Sequence, residues 1–107
     1  MTAWTQLMLA ILAEVVATTA MRATEEFTRL GPSLVVLVGY GVSFVMMSKA
    51  IHSLPLGVTY AIWSGLGSVG AMFTGWLIYG EAPGAGAVVG LPLIIAGTWL
   101  LRSSVPG

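Results

Sequence analysis

Four apolar runs occupy most of the sequence and limit what the chain can fold into. They cover about residues 4–21, 32–51, 58–79 and 86–101. At a rise of 1.5 Å per residue, helices of these lengths reach roughly 24–33 Å, close to the thickness of a hydrocarbon core. Because the connections are short, consecutive helices are expected to run antiparallel, with both termini on one side of the membrane. The sequence therefore predicts an all-α membrane protein with four transmembrane helices in a single domain, residues 1–107.

Composition excludes several classes of protein. Of the 107 residues, 57% are hydrophobic and 7% are charged, whereas a soluble domain carries about a quarter charged residues. The zero net charge argues against nucleic acid as a partner, and without cysteine neither a disulfide nor a thiolate metal site can form. The first run lacks a basic leader and contains an acid, which predicts a retained helix and not a cleaved signal. Because the sequence shows no nucleotide loop, metal-ligand spacing or catalytic triad, we expect no cofactor and no enzymatic activity.

One carboxylate, Glu14, stands in the middle of the first apolar run. An ionisable side chain at that depth costs about 2.5–3.5 kcal/mol on insertion scales, so it is rarely kept without a use. We predict that it faces a cavity or a partner helix; the alternative is a structural hydrogen bond between helices. In an apolar site, a carboxylate can hold a proton or pair with an organic cation, but not readily both. This competition is a simple physical basis for proton-coupled exchange.

Small side chains share the helix face of Glu14. Ala10, Ala17 and Thr18 lie three or four positions from it, which is the spacing of one helical face. They leave space beside the carboxylate that suits a ligand, or they simply allow close helix packing.

Aromatic residues of the third run form a second candidate feature. Tyr60 and Trp63 lie three positions apart in the segment TYAIWSG and so share a face. Two rings beside a buried carboxylate suit a lipophilic cation, and Tyr40 and Trp4 are candidates to extend this box. The alternative for each is an ordinary packing or interfacial aromatic, and for Trp4 the position near a helix end favours that alternative.

Two pairs of glycines predict a hinge and a helix–helix contact. Gly65 and Gly67, near the middle of the third run, are a candidate hinge for alternating access, or a site of close packing. Gly90 and Gly97, one heptad apart in the fourth run, indicate a helix–helix contact between subunits, and Pro92 between them is a possible kink.

The basic residues are balanced between the two sides of the membrane. Arg22 and Arg29 lie on one side and Lys49 and Arg102 on the other, so the bias is two minus two, or zero. A chain without bias can insert in both orientations, which allows an antiparallel homodimer with one Glu14 from each subunit. The alternative is a weak bias fixed by other features.

The residues resemble a known family along essentially the whole chain. The sequence is similar to the small multidrug resistance family of proton-coupled exporters. The motifs that carry the resemblance are AEVVATT (13–19), EFTRLGPS (26–33), LPLGVTYAIWSGLG (54–67) and GLPLIIAG (90–97).

The resemblance implies a multi-pass protein of the inner membrane that works as an antiparallel, dual-topology homodimer by alternating access. It implies that Glu14 of both subunits binds either protons or a cationic substrate, and that the segment from Gly90 to Gly97 is the dimer contact. The other residues that it places at or near the site are Trp63, Tyr60, Tyr40, Ala10, Thr18, Ser43 and Phe44.

A few residues distinguish the multidrug subtype of this family from the guanidinium subtype. Guanidinium-selective relatives typically carry Trp three residues after the glutamate and the motif YAIWTG, whereas this chain has Ala17 and YAIWSG. The segment GSVGAMFTG (67–75) and the Gly80–Glu81 pair look more like the guanidinium subtype. We therefore predict a proton-coupled antiporter of lipophilic and quaternary ammonium cations, with selective guanidinium/proton exchange as the alternative. A third hypothesis is that the protein is a non-transporting subunit of a membrane assembly, such as a rotor ring. That hypothesis gives no role to Trp63.

Overall fold

The computed structural model describes residues 1–106, and these form four α-helices joined by short connections. Each helix is 19 to 24 residues long and apolar enough to cross a membrane. The prediction of four transmembrane helices is therefore confirmed. The helices are α1 (Ala3–Ala23), α2 (Leu30–Ala50), α3 (Leu56–Tyr79) and α4 (Ala85–Ser103).

Local sequence explains where two of these helices begin and end. Thr2 caps α1, because its hydroxyl accepts a hydrogen bond from the Thr5 amide at 3.1 Å. Gly80 ends α3 in the left-handed conformation, with φ of 70°, which glycine adopts without steric cost. The chain then turns back, and the Glu81 amide donates to the Gly75 carbonyl at 3.1 Å.

The connection between α1 and α2 has an unusual backbone. Glu25, Glu26 and Phe27 are consecutive residues in the left-handed region, with φ of 49°, 62° and 65°. Thr24 is buried beneath them; its hydroxyl donates to the Met21 carbonyl at 2.7 Å and accepts from the Phe27 amide at 3.1 Å. These two bonds pair backbone groups near the end of α1, where helical hydrogen bonds stop. Thr24 therefore stabilises a tight turn between α1 and α2.

Helix α1 is the centre of the fold and packs most extensively against α2, then against α3. At the α1–α2 crossing, Ala17 is fully buried, and a Cβ atom added at Gly39 would lie 2.8 Å from the Ala17 Cβ. Small residues let the two backbones approach closely here, as is common between membrane helices. A buried apolar cluster lies where α1, the end of α2, the α2–α3 connection and α3 meet; its members are Leu7, Ile11, Ala50, Leu54 and Ile62.

Helix α4 lies at the edge of the subunit. It packs along α3, and none of its residues is buried. A Cβ atom added at Gly90 or Gly97 would meet no described atom within 4 Å. The subunit therefore offers this face to lipid or to another protein chain, and the prediction that it is a dimer contact stays a prediction.

Candidate functional site

The Glu14 side chain is half-buried between α1 and α3, and its two carboxylate oxygens differ. Oε1 accepts a hydrogen bond from the Thr18 hydroxyl at 2.8 Å, one turn further along α1. Oε2 is buried, and no donor among the described residues reaches it. On the other side, the Gly67 backbone comes so close that an added Cβ atom would lie 2.5 Å from Oε2. A buried carboxylate oxygen without a donor is a place for a proton or a cation, because it otherwise carries the full cost of lost hydration.

Thr18 connects this carboxylate to α2. Its hydroxyl lies 2.6 Å from the Tyr40 hydroxyl. A hydroxyl has one proton to donate, so while Thr18 donates to Glu14 it accepts from Tyr40. The phenol of Tyr40 is therefore coupled to the carboxylate through one intervening side chain.

A second chain of hydrogen bonds orients Trp63. The indole Nε1 donates to the Ser43 hydroxyl at 3.1 Å, and this hydroxyl donates to the Ala10 carbonyl at 2.6 Å. Ser43 and Ala10 are both fully buried. Each of α1, α2 and α3 contributes one residue, so the position of the indole depends on the packing of all three helices.

Four aromatic rings form a continuous row across α2 and α3. Tyr40 stacks on Phe44 with ring centroids 6.0 Å apart, Phe44 contacts Trp63 at 6.1 Å, and Trp63 contacts Tyr60 at 5.7 Å. These separations are typical of favourable aromatic pairs. Phe44 and Tyr60 are each 57% exposed, so part of the row is accessible from outside the subunit. We call these four residues the aromatic row.

Most residues predicted for the site are thus found together in the subunit. They are Glu14, Thr18, Tyr40, Ala10, Ser43, Phe44, Tyr60 and Trp63. Their part in binding stays a prediction.

Trp4 lies elsewhere. The Arg102 guanidinium stands over its ring, 4.0 Å from the centroid, where α1 begins and α4 ends. No described aromatic ring pairs with Trp4, so within one subunit it does not extend the aromatic row.

The two candidate hinge glycines are sites of close approach. Gly67 is packed on Glu14, and an added Cβ at Gly65 would lie 3.3 Å from both Ile94 and Thr98 of α4. Helix α3 continues unbroken through both positions. Motion at this segment is a prediction that a single conformation does not test.

A polar cluster at the surface end of α1 gave no signal in the sequence. Arg22 pairs with Glu81, and its guanidinium also stands 5.4 Å from the centroid of the Tyr79 ring. The Tyr79 hydroxyl donates to the Thr19 carbonyl, and the Thr19 and Thr74 hydroxyls lie 2.6 Å apart. These partners are 55 to 60 residues apart in the chain, so only the fold brings them together.

Comparison with known proteins identifies the family. The profile described as Small Multidrug Resistance protein matches residues 2–94. The chain belongs to the small multidrug resistance family. This small multidrug resistance chain is therefore a multi-pass membrane protein in a family of transporters.

Individual relatives of this small multidrug resistance chain carry different substrate names. An Escherichia coli protein named for ethidium bromide resistance is 47% identical over 103 residues, 96% of this chain and 90% of the relative. The quaternary ammonium compound-resistance protein QacE of Escherichia coli is 45% identical over 102 residues, 95% of this chain and 93% of the relative. A guanidinium exporter of Citrobacter freundii is 42% identical over 101 residues, 94% of this chain and 96% of the relative.

Proposed function

We propose that the protein is a proton-coupled antiporter that exports lipophilic and quaternary ammonium cations across the inner membrane. The observation that carries this proposal is the buried Oε2 of Glu14, which no described donor reaches, in a subunit that also presents the aromatic row. The carboxylate supplies the charge, and the row supplies ring faces and apolar contact for a bulky cation. The relatives named for ethidium bromide and quaternary ammonium resistance support this substrate class.

Exchange follows from competition at Glu14. A cation that binds beside the carboxylate favours its charged form and displaces the proton; a proton that binds removes the charge that holds the cation. If the protein changes its open side only when Glu14 is occupied by one or the other, a proton gradient drives cation export. Thr18 and Tyr40 adjust during this cycle, since both can donate or accept hydrogen bonds.

We further propose that the working unit is an antiparallel homodimer. Helix α4 has no buried residue, the Gly90 and Gly97 face is open, and the basic residues show no bias between the two sides. A second subunit would cover this face and bring a second Glu14 to the site. One subunit alone has a single carboxylate in its membrane segments.

Guanidinium/proton exchange by the same residues is the second candidate. The guanidinium exporter relative and the segment GSVGAMFTG favour it. Ala17, which resembles the multidrug subtype at that position, and the four-ring row favour the first candidate.

The experiment that tests the proposal is electrogenic transport by the reconstituted full chain on a solid-supported membrane, with tetraphenylphosphonium and guanidinium compared under a proton gradient. We expect current with tetraphenylphosphonium that Glu14→Gln abolishes and the loop substitution Glu26→Gln leaves unchanged. Current with guanidinium alone would establish the second candidate. Exchange of one proton for one monovalent cation carries no net charge, so proton movement is followed in parallel with a pH-sensitive dye inside the vesicles. Neither current nor cation-dependent proton movement with either cation would contradict both candidates.

A further inference from the structure

A groove lined by several hydroxyl and charged side chains lies between α1 and α3 and leads from Thr18, beside Glu14, toward the end of α1. Thr18, which donates to Glu14, lines its inner end, and the Arg22–Glu81 ion pair lines its outer end. Between them the groove is lined by Thr19, Thr74 and Tyr79.

Helical spacing explains why this groove exists. On α1, Glu14, Thr18 and Arg22 follow one another at intervals of four, so they lie along one face. On α3, Gly67 faces Glu14, and Ala71 and Gly75 follow it at the same interval, so small residues leave space opposite that face. From Thr18, which is hydrogen-bonded to Glu14, to Arg22, the groove extends about 6 Å along the α1 axis at 1.5 Å per residue.

The groove is separate from the aromatic row. None of Tyr40, Phe44, Tyr60 and Trp63 is among the described residues that line it. Its side chains offer hydroxyl groups, of which the Thr19–Thr74 pair lies in mutual hydrogen-bond contact at 2.6 Å. Hydroxyl groups bind water by donating and accepting hydrogen bonds, whereas aromatic ring faces bind lipophilic cations.

We propose that this groove carries water and protons between Glu14 and the surface at the C-terminal end of α1, while substrate uses the aromatic row. The groups that can titrate or carry charge along it are Glu14 and Arg22 of α1, Tyr79 of α3, and Glu81 of the α3–α4 connection, with Tyr40 of α2 facing Thr18. Thr19 and Thr74 are positioning residues, which act on Glu14 through the water that they hold. This inference rests on the proposed proton-coupled exchange at Glu14.

The test is the rate at which the purified full chain releases protons when saturating tetraphenylphosphonium is added. It is followed in a weakly buffered detergent solution with a pH indicator dye in a stopped-flow instrument. Thr74→Val keeps the shape of the side chain but replaces the hydroxyl with a methyl group. Thr74→Ser restores the hydroxyl, and Thr98→Val on α4 is the matched control outside the groove.

We expect Thr74→Val to release the same number of protons as the unmodified chain but roughly tenfold more slowly, which corresponds to about 1.4 kcal/mol in the barrier. Thr74→Ser and Thr98→Val should release protons at the original rate. If Thr74→Val does not fold, Thr19→Val removes the other hydroxyl of the pair and is expected to give the same slowing.

Three results would overturn the inference. An unchanged rate in Thr74→Val, or equal slowing in Thr74→Ser, would exclude a hydroxyl-lined proton path while leaving the antiporter proposal intact. Absence of any proton release from the unmodified chain would contradict the antiporter proposal itself.

Discussion

The Glu14 carboxylate packs directly against the backbone of Gly67. A Cβ atom added at Gly67 would lie 2.5 Å from Oε2 and 3.2 Å from Cδ of Glu14. Folded proteins essentially never show a Cβ contact as short as 2.5 Å, so the carboxylate occupies space that any other residue at position 67 would fill. Helices α1 and α3 therefore approach each other closely at Glu14, because residue 67 has no side chain.

Gly67→Ala is predicted to displace the carboxylate and weaken binding of tetraphenylphosphonium. Overpacking of this kind costs about 1–3 kcal/mol, so an affinity loss of roughly tenfold or more is expected. Isothermal titration calorimetry of the detergent-solubilised protein measures it. Gly41→Ala in α2 is the control, because a Cβ there meets no described atom within 4 Å. Equal affinity in the two variants would contradict the account of this contact.

Ser43→Ala is predicted to release Trp63 from its fixed orientation. The change removes the acceptor of the indole N–H and leaves the half-buried Nε1 of Trp63 unpaired, at a cost of about 1–3 kcal/mol. We expect a lower thermal midpoint and a severalfold weaker affinity for aromatic cations. Ser48→Ala, at an exposed position of the same helix, is the comparison. Equal thermal midpoints and equal affinities in Ser43→Ala and Ser48→Ala would contradict this role of the hydrogen bonds through Ser43.

Ala17→Trp is predicted to disrupt the subunit instead of converting it to guanidinium selectivity. Ala17 is fully buried at the crossing with α2, where even a methyl group added to Gly39 would clash. An indole cannot be accommodated without separating the helices, so overpacking well beyond the usual ~1–3 kcal/mol is expected. Size-exclusion chromatography should show loss of the monodisperse protein, whereas Val16→Trp on the exposed face should not. A well-folded Ala17→Trp protein that prefers guanidinium would contradict this.

The sequence predicts the helices well because long apolar runs between short polar breaks leave a membrane chain few alternatives. Helical periodicity also relates Glu14 to Thr18 and Tyr60 to Trp63, since each pair lies within one helix. It does not reveal contacts between helices. The bond from Trp63 to Ser43 and the Arg22–Glu81 pair join residues 20 and 59 positions apart, and their geometry depends on how the helices cross.

Two other features cannot be predicted from the sequence, for different reasons. The three left-handed residues after Thr24 carry side chains that usually avoid this conformation, so local preference does not indicate the turn. By residue type alone, Trp4 is compatible with either a site or an interface. Its contact with Arg102 depends on the fold, which brings the end of α4 to the beginning of α1.

The most direct test of the account is the apparent Kd for tetraphenylphosphonium measured over about pH 5 to 9. If protons and substrate compete for Glu14, rising pH removes the competitor and binding strengthens. The Kd should fall as the pH rises, by up to about tenfold per pH unit for each proton that the cation displaces. Glu14→Gln should not bind at any pH. A Kd that is the same across this range, in a protein whose binding still requires Glu14, would contradict competition as the basis of exchange.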